Sequence, residues 1–145
     1  MKIISVGLNE ISIIKSLWEG LNAHHLSMSN KFKDFYTAFT FEDRIASLKK
    51  RDDLVVYVAQ DGTQSIGYCI VSIYGAIGEL DSIFVQPEHR GKGIGTELVT
   101  HSLKWLEGQS IETIRVAIAE GNESALGFYR RFGFTERMVL MQRTA

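Results

Sequence analysis

The chain has 145 residues, 45% of them hydrophobic and 23% charged, with a net charge of −1. That balance suits one folded domain, 1–145, able to bury about two-thirds of its unfolded surface, and it excludes a general basic field for nucleic acid. No apolar run, Leu54–Ala59 included, is long enough to cross a bilayer, so no membrane partner is expected either. Residues Met1–Val6 lack the apolar core and small-residue cleavage site of a secretory signal. The single cysteine, Cys69, has no internal partner for a disulfide, and a reduced, cytoplasmic setting is the expectation.

Lys2–Val6 reads as a first strand. Asn9 offers an N-cap, and Ile11, Ile14, Trp18 and Leu21 recur at helical spacing, with Ile13 and Leu17 widening the stripe; this predicts a helix ending between Asn22 and His25. His24 and His25 have no second metal-ligand cluster at useful spacing. They read as ordinary polar groups or as the lining of a substrate entrance, and no metal is expected. Phe32, Phe35, Tyr36 and Phe39 predict a helix within Met28–Phe39 that buries its rings in the core, with an acceptor-pocket wall as the second reading. Thr40 and Asp43 suggest a fresh helix start, and Lys49-Lys50-Arg51 a solvated helix end.

Leu54–Gln60 and Ser65–Tyr74 are β runs joined by the Asp61-Gly62 turn signal, and Gly75 and Gly78 bracket a turn into a third strand, Glu79–Val85. Cys69 falls inside the second run, between Tyr68 and Ile70, as packing. In the third strand Leu80 and Ile83 are three apart, which breaks strict alternation; a bulge between them would restore the apolar face. Pro87 stops the strand. Then come Arg90-Gly91-Lys92-Gly93-Ile94-Gly95 and a helix over Ile94–Glu107 with Leu98, Val99, Leu103 and Leu106 on its apolar face. Thr113–Ala119 returns as a strand, Asn122 begins a helix reaching Phe132 with Gly133 at its cap, and Met138–Gln142 reads as a closing strand. The strand-helix-strand step from Glu79 to Ala119 implies a right-handed parallel crossover. The expected fold class is α/β (α+β), a single-domain mixed sheet with helices on both faces.

The glycine-rich loop is built to cradle an anion. Its glycines leave the backbone open to a ligand, the helix that follows points its free N–H groups and positive dipole end at it, and Arg90 and Lys92 add full charges. It is not the Gly-x-x-x-x-Gly-Lys-Ser/Thr phosphate loop, nor the Gly-x-Gly-x-x-Gly dinucleotide fingerprint. It does match Gln/Arg-x-x-Gly-x-Gly/Ala through Arg90, Gly93 and Gly95. Further on, Asn122, Ala125, Tyr129, Gly133 and Phe134 satisfy Asn-x-x-Ala-x-x-x-Tyr-x-x-x-Gly-Phe. In both segments the chain resembles the GCN5-related N-acetyltransferase (GNAT) family. The two segments and their strands cover about half the chain.

The resemblance implies a GNAT domain transferring an acetyl group from acetyl-CoA to a primary amine, the leading class being a small-molecule amine. A protein or peptide N-acetyltransferase and a non-catalytic acyl-CoA sensor are the alternatives, and a homodimer is compatible with the family. It implies cofactor contacts from Ile83, Phe84 and Val85 along the pantetheine arm, from Arg90, Gly91, Lys92, Gly93, Ile94, Gly95 and Thr96 around the pyrophosphate, and from Asn122. A backbone amide near Phe84 or Val85 would meet the developing oxyanion, and Tyr129 would protonate the leaving thiolate. An alkylammonium must lose a proton before attack. Glu79 and Asp81, two apart on one strand face, are the candidate bases.

Overall fold

The computed structural model describes all residues from Met1 to Ala145. Five strands form one sheet in the order β1-β2-β3-β4-β5: β1 Lys2–Val6, β2 Asp53–Asp61, β3 Gln64–Tyr74, β4 Ile77–Val85 and β5 Thr113–Val116. β1 to β4 are antiparallel neighbours, and β5 alone runs parallel to β4, after the crossover helix α4, Ile94–Glu107. This is the expected mixed sheet.

Each face of the sheet carries its own core. On one side, a 3₁₀ segment (Leu8–Ile14) and helices α1 (Lys15–Met28) and α3 (Phe41–Leu48) pack Ile14, Trp18, Phe41 and Leu48 against Val56, Val58, Tyr68, Ile70 and Phe84. On the other, α4 and α5 (Ala125–Arg130) bring Leu98, Val99, Leu106 and Tyr129 onto Ala59, Ile66, Cys69, Val71 and Leu80. The register of β3 against β4 slips opposite Asp81: Val71 faces Leu80, yet Ile70 faces Ser82. That extra residue is the expected bulge. Leu80, Ile83 and Val85 therefore share the α4 side, while Phe84 turns to the α1 side.

Local chemistry explains most helix ends. Thr40 and Asp43 form a reciprocal capping box at the start of α3, as expected. Gly133 closes α5 in a left-handed conformation, its N–H bonded to Arg130 O, while the Phe134 N–H reaches Tyr129 O and its ring meets Tyr129 edge-on at 6.0 Å.

Several expectations are corrected. Asn9 does not cap a helix; Gly7 precedes a 3₁₀ segment, and α1 begins at Lys15 and runs on to Met28. Asn122 does not cap α5 with its side chain; residues 119–124 form turns, the N-cap is Ser124, and the helix is only Ala125–Arg130. The aromatic helix is also short, α2 spanning Lys33–Ala38, and it buries none of its residues. Of the four rings only Phe39 packs, half-buried, against the core beside Trp18, while Phe35 is 52% exposed and stacks on Phe39 at 5.3 Å. Ring spacing marked a helix face without saying what that face meets. Lastly, Met138–Gln142 joins no sheet. Strand propensity supplies no partner, and Arg130 holds Glu136 on the flank of α5 through two hydrogen bonds of 3.1 and 2.7 Å.

Candidate active site

Pairing between β4 and β5 runs from Ile77–Thr113 to Leu80–Val116 and stops. β4 continues to Val85, whereas residues 117–119 leave the sheet. The gap opens a cleft of ≈ 600 Å³ between the end of β4, the start of α4 and the first turn of α5.

Three features of the main chain shape its wall. The Gln86 N–H bonds to Ile66 O on β3, so alternation turns the N–H and C=O groups of Val85 and Ile83 toward the side without a strand. Arg90 Nε donates to Val85 O at 2.9 Å on that side. Beyond it, the N–H groups from Gly91 to Thr96 donate to no backbone or side-chain acceptor of the chain. Gly93, at φ +79°, is the N-cap of α4 and offers no side-chain cap. A row of main-chain donors and a helix dipole thus converge on one place, the arrangement that holds a phosphate.

Of the residues singled out from sequence, Ile83, Phe84, Val85, Arg90, Gly91, Gly93, Ile94, Gly95, Thr96, Asn122 and Tyr129 line this cleft. Lys92 stands in the loop but not in the lining. Sequence reasoning missed His89, Ser124, Ala125, Phe128 and Arg131, and named Leu21 only as a core residue. Ala125 was a fixed position of the second motif and was the one legible signal. Of the two adjacent histidines, His24 lines the cleft and His25 does not.

Tyr129 is 6% exposed and packed against Phe128 and Phe134. Burial, reinforced by Cys69, raises its phenol above the ordinary value, so the hydroxyl keeps its proton, and no hydrogen bond offsets that shift. Cys69, on β3, lies fully buried on the α4 face of the sheet, opposite to α1, its thiol pushed up to about 12 by burial. It has neither access nor a thiolate.

Glu79 and Asp81 are not part of the cleft lining. Both turn toward the end of α3, where Arg51 Nη2 donates to Glu79 Oε2 at 2.7 Å and to Asp81 Oδ1 at 3.1 Å. The guanidinium also covers the Tyr74 ring at 4.2 Å, and Arg44 donates to the Asp81 carbonyl. The Asp81 side chain is 0% exposed, so it stands out of reach of a substrate. Burial and the adjacent Asp81 carboxyl raise Glu79 to about 7, against the opposing pull of Arg51. No group of three or more His, Cys, Asp or Glu side chains is assembled to hold a metal, and no helix is long and apolar enough to cross a membrane.

Comparison with known proteins agrees with this geometry. The profile of the acetyltransferase (GNAT) family matches residues 18–134, and the chain belongs to that family. It is 27% identical over 100 residues to an N-acetyltransferase of Methanocaldococcus jannaschii, covering 64% of this chain and 44% of that protein. It is 28% identical over 121 residues to the peptidyl-lysine N-acetyltransferase YjaB of Salmonella typhimurium, covering 82% of this chain and 72% of the other. The chain thus spans less than half of the first of these relatives. Among solved structures, aminoglycoside N-acetyltransferase AAC(6′)-Iy in complex with CoA superposes with a TM-score of 0.69 at 18% identity, covering 99% of this chain and 93% of that one; the likeness is one of fold.

Proposed function

We propose that this chain is an acetyl-CoA-dependent N-acetyltransferase in which a primary amine attacks the bound thioester directly. The observation that carries the reading is the unbroken run of unpaired main-chain N–H groups from Gly91 to Thr96, set at the end of a strand that has parted from its neighbour. The run would hold the pyrophosphate, with Arg90 and the α4 dipole adding positive potential. Ile83 and Val85 would bond the pantetheine arm, and Asn122 its far side. The amine nitrogen forms a bond to the acetyl carbon as the carbon–sulfur bond breaks. The N–H of Val85, or of Ile83, meets the charge on the carbonyl oxygen; the Tyr129 hydroxyl, still protonated, passes its proton to the departing sulfur, and the remaining extra proton on the attacking nitrogen leaves through water and restores the Tyr129 hydroxyl.

Glu79 is the proton acceptor for the incoming ammonium, since its carboxyl titrates near neutral pH. It stands four residues before Ile83, about 13 Å along the strand at 3.3 Å per residue, so the proton reaches it through water. Direct attack, rather than an acetyl-cysteine intermediate, follows from the burial of Cys69. The acceptor is a small-molecule amine, as the name of the aminoglycoside acetyltransferase neighbour suggests for that protein. The peptidyl-lysine relative, matched over 82% of this chain, favours a protein lysine as the second reading. Purified chain should bind acetyl-CoA in a calorimeter and release CoA with small amines but not with lysine peptides. Turnover on peptides alone would transfer the assignment to the second reading, and binding without turnover on any amine would leave a sensor.

A further inference from the structure

On the α1 and α3 face of the sheet, the acids beside the cleft are engaged and two of the arginines are not. α4 and α5 cover the opposite face, where Ile83, Val85 and Tyr129 lie. With acetyl-CoA in the gap between β4 and β5, the face left to an acceptor is therefore the one that bears Glu79. Glu79 and Asp81 share Arg51 at 2.7 and 3.1 Å. Asp43 is held in the capping box of α3, and Glu120 accepts from Ser29, Asn30 and Lys31. The cleft itself has no Asp or Glu among its lining residues.

Arg44, half-buried on α3, spends one N–H on the Asp81 carbonyl at the bulge and makes no ion pair. That bond fixes its head where β4 parts from β5, one residue beyond the last pair, Leu80–Val116. A guanidinium carries five N–H donors in a rigid fork that matches a carboxylate or phosphate, so most of the donors of Arg44 are left over. Arg115 stands beside Glu79 in the register of β5, on the face opposite to Ile114 and Val116, exposed and without an ion pair. Arg44, Arg51 and Arg115 thus outnumber Glu79 and Asp81, and the excess positive charge lies on the acceptor's side of the sheet.

Given the acetyl-CoA site proposed above, on which this rests, we infer that the acceptor is a primary amine carrying its own anionic group, a carboxylate or a phosphate monoester, and that Arg44 is the residue that reads it. Arg44 grips the anion through the N–H groups that Asp81 does not use, and Arg115 adds potential at the mouth. The main-chain bond to Asp81 holds the guanidinium in place before the acceptor arrives, so little freedom is lost on binding. A polycationic amine meets the same two guanidiniums as repulsion, with no unpaired carboxylate in the cleft to offset it.

Calorimetry on the CoA-saturated chain tests this, because the phosphate cradle is then already filled. The probes are 4-aminobutanoate, 3-aminopropyl phosphate, butylamine and spermidine. At least one of the two anionic amines should bind about tenfold or more tighter than butylamine and spermidine, and the tighter of the two names the group. With acetyl-CoA, kcat/KM should follow the same order. Arg44→Met should lower the ratio of anionic to neutral amine by about tenfold, chiefly through KM, and Arg44→Lys should restore part of it. Arg115→Glu, at an exposed position, should lower the same ratio about threefold, and it decides the matter should Arg44→Met fail to fold. Anionic amines that bind no better than butylamine, a preference for spermidine, or a ratio unmoved by both substitutions overturns the inference. Failure of CoA itself to bind is a separate result, which strikes the acetyltransferase reading first and this inference with it.

Discussion

Two carboxylates on β4 share one guanidinium, and that sharing decides what each can do. Asp81 is sealed against Arg51, with its second oxygen unpaired and buried; Glu79 keeps partial solvent access and a carboxyl that titrates near 7. If Glu79 is the base, as proposed, its deprotonated form accepts the proton, so kcat/KM should rise with pH through about 7. Glu79→Gln should flatten that rise and lower the plateau about a hundredfold, within the range of general-base effects. A rate–pH profile unchanged by the substitution would assign the proton to solvent. Tyr129→Phe should cut kcat by a similar factor while leaving the calorimetric affinity for acetyl-CoA within twofold, because the ring's packing survives and only the hydroxyl goes. At this scale residue identity was legible and environment was not. Tyr129 could be named from its motif, but Arg51 looked like a solvated helix end, since nothing in a linear run of Lys-Lys-Arg reveals a buried partner 30 positions away.

The proposed function concentrates at the junction of β4 with α4. Gly93→Asp there sets a side chain on a φ +79° residue and a negative charge among the unpaired N–H groups proposed to hold the pyrophosphate. Acetyl-CoA affinity should fall more than tenfold by calorimetry, with the far-ultraviolet spectrum unchanged. A second junction joins the loop after β5 to the end of α1. Glu120 accepts from the Ser29 hydroxyl and from the N–H groups of Asn30 and Lys31, and Gly121 at φ +90° passes so close to Met28 that a Cβ would lie 2.2 Å from its carbonyl oxygen. Gly121→Ala should therefore cost at least about 2 kcal/mol in urea unfolding, the left-handed backbone alone accounting for about half of that. Short-range grammar, such as the Thr40–Asp43 box, the Gly133 cap and the slip between Leu80 and Ile83, was readable because its partners lie within a few residues. The Glu120 tether spans 91 positions to Ser29 and left no local trace.

Across the whole molecule, a sheet sandwiched between two cores ties stability to the charge state of its buried rim. Glu79 has a folded value of about 7 against an ordinary 4.5. Its contribution to stability is fully present below 4.5 and is lost as pH rises through 7, since the folded chain holds the proton more tightly than the unfolded one. Urea midpoints should thus decline from pH 5 to pH 7.5, and Glu79→Gln should reduce that decline; an equal decline in both proteins would place its source elsewhere. The topology followed from strand order and the handedness of one crossover, and so was open to sequence reasoning. The closing strand was not, because a strand exists only where an edge receives it, and Met138–Gln142 meets none.

The depth of Cys69 has a practical corollary. With its sole thiol shut inside the sheet, the native protein should stay colourless with disulfide reagents such as Ellman's, so every equivalent of yellow product would report free CoA. An introduced surface cysteine could then carry a spectroscopic label with no competing site.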